Sequence, residues 1–131
     1  MPIKSDPSRW TDPRQRRGLA GERLAMAYLR RQGWQLLAHR FRMRRLEIDL
    51  IARRQAVVAF IEVKTRYGDA FGSPFEAVTW SKRREIFRVA QSWISRNGRS
   101  GYTYRFDVVG VVFSAGRKRV CHLPDAFRAA R

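Results

Sequence analysis

The chain has 131 residues, a length that suits one domain rather than two. Its 28 Lys and Arg outnumber 11 Asp and Glu, giving a formal net charge of +17, and its 44% hydrophobic content is too high for a disordered basic tail. The single cysteine, Cys121, excludes an internal disulfide and a Cys-rich zinc site, and the longest apolar runs, 56–61 and 108–113, are too short to cross a bilayer.

Residues 1–17 read as a flexible basic arm, with Pro2, Pro7 and Pro13 breaking its first part, and 18–131 as one domain. The arm has no apolar core of the kind a secretory signal needs, so a cytoplasmic protein is expected. A first helix is predicted from residue 14 or 18 to 32, stopped by Gly33. Glu22 shares a helical stripe with Ala25, Met26 and Leu29, away from the basic face of Arg23 and Arg30. Strands follow at 34–41, 46–53 and 56–65; the last two are apolar on both faces and should lie inside the sheet. A loop at 67–74 leads to a second helix, from 79 or 81 to 96. Its stripe is Ile86, Val89, Ala90, Trp93 and Ile94, and Asn97-Gly98 ends it. A long strand at 102–113 and a short one at 120–123 complete the order α-β-β-β-α-β-β. That order fits an α/β fold with a mixed sheet flanked by helices.

The charge is not a property of the arm. Residues 1–17 carry a net +3 and the body keeps +14, mostly as arginine, whose planar fork matches phosphate oxygens. GC-rich codon usage accounts for part of the preference for Arg over Lys but not for the net excess. A folded body so charged calls for a polyanion. Nucleic acid is the expected partner, with an anionic membrane surface second. No segment combines a basic face with the apolar stripe that a membrane surface would need.

Against this background the acids stand out. Asp49 interrupts the apolar strand Leu46-Glu47-Ile48-Asp49-Leu50-Ile51, and Glu62 and Lys64 share a face at the end of the next strand. In a hairpin, Asp49 and Glu62 could converge. Charges on inner strands are costly unless paired or metal-bound, and oxygen ligands select hard cations such as Mg²⁺ or Mn²⁺. Such an ion would polarise a phosphoryl oxygen, and Lys64 could stabilise charge on phosphate. Spacing alone equally allows a plain salt bridge of Lys64 with Glu62 or Asp49.

A wider set of residues carries a resemblance. Gly21-Glu22, Glu47-Ile48-Asp49-Leu50-Ile51, Phe60-Ile61-Glu62-Val63-Lys64-Thr65-Arg66, Phe71-Gly72, Lys82 and Arg105-Phe106-Asp107-Val108-Val109 resemble the YraN family of uncharacterised bacterial proteins. Those proteins are similar to restriction-endonuclease-like PD-(D/E)xK nucleases and to archaeal Holliday junction resolvases. The resemblance covers about residues 18–127. It implies a restriction-endonuclease-like mixed sheet, with Asp49, Glu62 and Glu22 as metal ligands and Lys64 as the catalytic lysine. It further implies a Mg²⁺- or Mn²⁺-dependent endonuclease that acts on DNA, branched DNA included, and works as a homodimer. The chain departs from the family pattern at Leu46, where Gly is usual, and at Arg40, where Asn is frequent.

Other residues have plainer readings beside functional ones. Arg40, Arg42, Arg44 and Arg45 precede the acidic strand and, with Arg66 and Lys82, are the candidate phosphate contacts. Glu47 fits an auxiliary ligand or a surface ion pair. Asp107 is favoured as a structural ion pair, and Cys121 as a small core residue. His39 and His122 are expected to be ordinary sheet or surface residues rather than zinc ligands. Trp34, Trp80, Tyr102 and Tyr104 could stack on unpaired bases, and Trp93 belongs to the core. The alternatives to an endonuclease are a non-catalytic nucleic-acid-binding module and a basic adaptor protein.

Overall fold

The computed structural model describes residues 13–68 and 78–128, with side chains from residue 18 onward. The expected loop motif Phe71-Gly72 and residues 1–12 of the arm lie outside the described residues. Helix α1 (Pro13–Arg31) starts inside the stretch assigned to the arm, with proline at the first helical position, where its missing N–H costs no helical bond. Gly33 ends it at φ +90°, and the Trp34 N–H reaches back to the Leu29 carbonyl at 3.0 Å.

Strands β1 (Gln35–Met43), β2 (Leu46–Arg54) and β3 (Val57–Tyr67) form an antiparallel meander with two-residue turns at 44–45 and 55–56. Helix α2 (Trp80–Asn97) carries the chain over the sheet to β4 (Thr103–Ser114), which pairs parallel to β3. The Thr79 side chain caps α2 by accepting the Lys82 N–H, and Gly98 closes its C-terminus. Strand β5 (Arg117–Phe127) returns antiparallel to β4, so the five strands lie in the order β1-β2-β3-β4-β5. This is the expected α/β order, and β2 and β3 are internal strands. Among the described residues no helix is long and apolar enough to cross a membrane.

The sheet is buried on both faces, which is why β2 and β3 read as continuous apolar runs. Ala25, Met26 and Leu29 of α1 pack on Leu50, Ala52, Ala59, Ile61, Val109 and Val111. On the other face Ile86, Val89, Ala90 and Trp93 of α2 pack on Ile48, Ile51, Val58, Phe60 and Val108. Phe60 is fully buried there, edge-on to Trp93 at 5.8 Å and stacked on Phe106 at 5.5 Å.

Strand β5 is far longer than the expected 120–123. Arg117, Lys118 and Arg119 are exposed on this sheet edge, and their charge hides the strand pattern while discouraging edge-to-edge pairing. The edge position also leaves Cys121 partly exposed rather than in the core. Trp34, expected among the possible base-stacking residues, is 3% exposed, with the guanidinium groups of Arg54 and Arg105 4.6 and 5.3 Å from its ring.

Two glycines of α1 differ in what surrounds them. A Cβ on Gly21 would collide with the Thr65 side chain, so glycine lets the helix approach β3; one on Gly18 would meet nothing. Gly18→Ala should therefore stabilise the fold by about 0.5–1 kcal/mol through helix propensity alone. Gly21→Val should destabilise it by about 1–3 kcal/mol through overpacking. Urea unfolding of the two variants checks this; equal effects would contradict the packing described.

Candidate functional site

The pairing of β2 with β3 runs from Arg54↔Val57 to Leu50↔Ile61 and stops there. Asp49 and Glu62 would be the next pair. Side-chain alternation breaks at the same point: Leu50 packs under α1, yet both Ile48 and Ile51 pack under α2. In β1, Arg40 lies between the pairs His39↔Leu50 and Phe41↔Ile48, hence opposite Asp49, and has φ +56°. The hairpin therefore twists at Arg40 and Asp49, and the two inner strands part. Into this parting the Asp49 Oδ2 accepts the Val63 N–H at 2.8 Å, replacing a ladder bond by a side-chain bond.

The parting brings Asp49 and Glu62 together. Glu62 is 5% exposed, and its Oε1 is buried without a hydrogen-bond partner. Burial, and then the charge of Glu22, push the Asp49 carboxyl up to about 6 against the restraining Val63 N–H bond. Burial, and then the charge of Asp49, push Glu62 up to about 9, with Lys82 and Lys64 acting in the opposite sense. At neutral pH the pair thus carries one proton between two carboxyls, the arrangement expected of like charges sharing a small space.

The remaining sequence-selected residues surround this pair unequally. Lys64 follows Glu62 on the same strand face, near enough for its charge to act on that carboxyl. The Lys82 Nζ, at the start of α2, lies 4.0 Å from Glu62 Oε2 with its side chain 39% exposed. Glu22 is buried on the inner face of α1, as its stripe suggests, but Arg40 holds its Oε2, with Nη2 at 2.7 Å and Nε at 3.2 Å. Among the described residues no three His, Cys, Asp or Glu side chains converge as a ready metal cage. Arg42 pairs with Glu47 at 2.8 Å, the surface ion pair, while Arg44 and Arg45 are exposed at the turn. The Arg66 guanidinium turns back to the Thr65 carbonyl.

Residues 21–111 match the sequence pattern of uncharacterised protein family UPF0102. The chain is 40% identical over 119 residues to a UPF0102 protein of Chloroherpeton thalassium, an alignment covering 85% of this chain and 92% of the relative. It is 44% identical over 111 residues to one from Nocardia farcinica, covering 84% and 87% of the two chains. One from Alkaliphilus metalliredigens is 39% identical over 110 residues, covering 84% and 96%. The chain belongs to the UPF0102 family. The span matched to UPF0102 includes Glu22, Asp49, Glu62, Lys64 and Lys82.

Two buried polar groups of this UPF0102 chain lie beside or beyond the site, and the first escapes sequence reading. His39 is fully buried, with both ring nitrogens lacking a hydrogen-bond partner and its Nε2 3.4 Å from Glu22 Oε2. Nothing in the strand pattern marks it. Asp107 is fully buried and bonded to Arg105, to His122 Nε2 at 2.7 Å and to the Asp125 N–H at 2.9 Å. The favoured structural reading of Asp107 is therefore what the structure contains, and these donors hold its carboxyl below the usual range despite its burial.

The carboxylate pair makes a signed prediction. Raised carboxyl pKa values mean that the folded state binds more protons than the unfolded one. Their stabilising contribution is present below pH 4 and is lost as pH rises through about 6 and about 9. Glu62→Gln removes the repulsion, so the metal-free variant should gain thermal stability over wild type as pH rises from about 5 to 9. Melting curves across that range check it; a pH-independent difference would contradict the coupling.

Proposed function

We propose that the protein is a metal-dependent endonuclease that hydrolyses phosphodiester bonds in DNA, branched DNA included. The observation that carries this reading is the buried Glu62 carboxyl beside the half-buried Asp49 carboxyl at the point where β2 and β3 part, in a chain of net charge +17. The residues fit a hard cation. Glu62 Oε1 is a buried oxygen without a partner, and the pair already holds excess negative charge that a proton only partly offsets. Mg²⁺ commonly takes one or two carboxylates and completes its shell with water and phosphate oxygens, so a complete protein cage is not required.

In this reading Asp49 and Glu62 hold Mg²⁺ or Mn²⁺. When bound, the ion would polarise a phosphoryl oxygen and lower the pKa of a bound water. The Val63 N–H fixes one Asp49 oxygen and so directs the other. Lys64 supplies positive charge where it develops on phosphate. Lys82, half in solvent, draws the substrate backbone toward Glu62, and Arg42, Arg44 and Arg45 at the hairpin end hold flanking phosphates. Trp80, 59% exposed two residues before Lys82, offers a face to an unpaired base. Cutting opposed strands needs two sites, so a homodimer is the working form by analogy with resolvases. A binding module without catalysis uses the same basic surface but gives no role to the costly Asp49–Glu62 pair.

The test is cleavage of duplex, single-stranded, flap and four-way DNA with Mg²⁺ or Mn²⁺. Wild type should cut at least one substrate. Asp49→Asn and Lys64→Ala should lose at least about 100-fold in rate while binding the same DNA within a few-fold. No cleavage by wild type, or undiminished cleavage by both variants, would rule the nuclease out.

A further inference from the structure

Arg40 is among the candidate phosphate contacts, yet its side chain is 13% exposed, and its Nε and Nη2 both donate to one carboxylate oxygen of Glu22. Its backbone sits at φ +56°, a region costly for a long side chain, so the surrounding contacts must hold it there. It lies opposite Asp49 in the hairpin, and Glu22 is close enough for its charge to raise the Asp49 carboxyl. The third acid of the site is thus already bound to a cation, one that no chelator removes.

We propose that Arg40 is the resident cation of the Glu22 position. Its guanidinium takes the place that a second divalent ion would fill, so Glu22 binds Arg40 rather than metal and the centre holds one ion, at Asp49 and Glu62. This rests on the reading of Asp49 and Glu62 as ligands. The absence of a three-acid grouping among the described residues agrees with it, as does the short 2.7 Å contact, typical of a charge-assisted bond. Arg40 then has two effects. It keeps Glu22 from competing for the bound ion, and it offsets the Glu22 charge that would otherwise draw a second one.

The experiment counts Mn²⁺ ions bound by the full chain, using calorimetric titration together with the electron paramagnetic resonance signal of free Mn²⁺. Wild type should bind one ion, Glu22→Gln should also bind one, and Arg40→Lys should keep the count at one. Arg40→Asn, a residue that tolerates positive φ, should admit a second ion that is lost again when Glu22→Gln is added. Two ions in wild type, loss of the single ion in Glu22→Gln, or a count that stays at one in Arg40→Asn would overturn the proposal and leave the Asp49–Glu62 reading standing. Asp49→Asn is the separate control. If wild type binds no Mn²⁺, or Asp49→Asn binds it as wild type does, the reading of the ligands fails and the proposal fails with it.

Discussion

A buried carboxyl and a half-buried one repel each other in a narrow gap, and the structure around Asp49 and Glu62 is arranged about that repulsion. Desolvation is the largest influence on both groups, and mutual charge follows for Glu62. Neither acid improves packing, since apolar residues would fill the same strand positions at lower cost. The sheet accommodates them by ending the β2–β3 ladder at Leu50↔Ile61 and giving the freed Val63 N–H to Asp49. Such a site is stable when something positive enters it, whether a proton, a lysine or a divalent ion.

The layers on either side supply their parts unequally. From the α2 side comes Lys82, its side chain partly in solvent and its Nζ 4.0 Å from Glu62 Oε2. From the α1 side comes Glu22, brought close by the missing side chain of Gly21 against Thr65 and held by Arg40. The aromatic packing around Phe60 keeps α2 against the sheet, and with it the position of Lys82. Fold and site therefore share residues: the docking of each helix sets which charges reach the strand gap. Away from it, Asp107 is surrounded by donors, in contrast to Glu62, whose buried Oε1 has none.

Much of this was legible in the sequence because burial leaves periodicity. The inner strands announced themselves by apolar runs, α2 by Ile86, Val89, Ala90 and Trp93, and Glu22 by its place on an inner stripe. Strand β5 was only partly legible, since an edge strand can carry Arg117, Lys118 and Arg119 without loss of pairing. Trp34 was open to a stacking role because sequence cannot reveal that Arg54 and Arg105 close over its ring. The same limit applied to Arg40. Within a run of arginines its type is unremarkable, and only the positive φ and the docking of α1 show that it faces Glu22.

The central claim is that the Asp49–Glu62 pair holds a proton that a divalent cation displaces. Calorimetric titration of Mn²⁺ in buffers of differing ionisation enthalpy at about pH 7.5 measures this directly. The account expects release of about one proton per ion bound, since burial and mutual repulsion favour a proton on the pair and coordinating carboxylates carry none. Mn²⁺ binding with no proton release would contradict it.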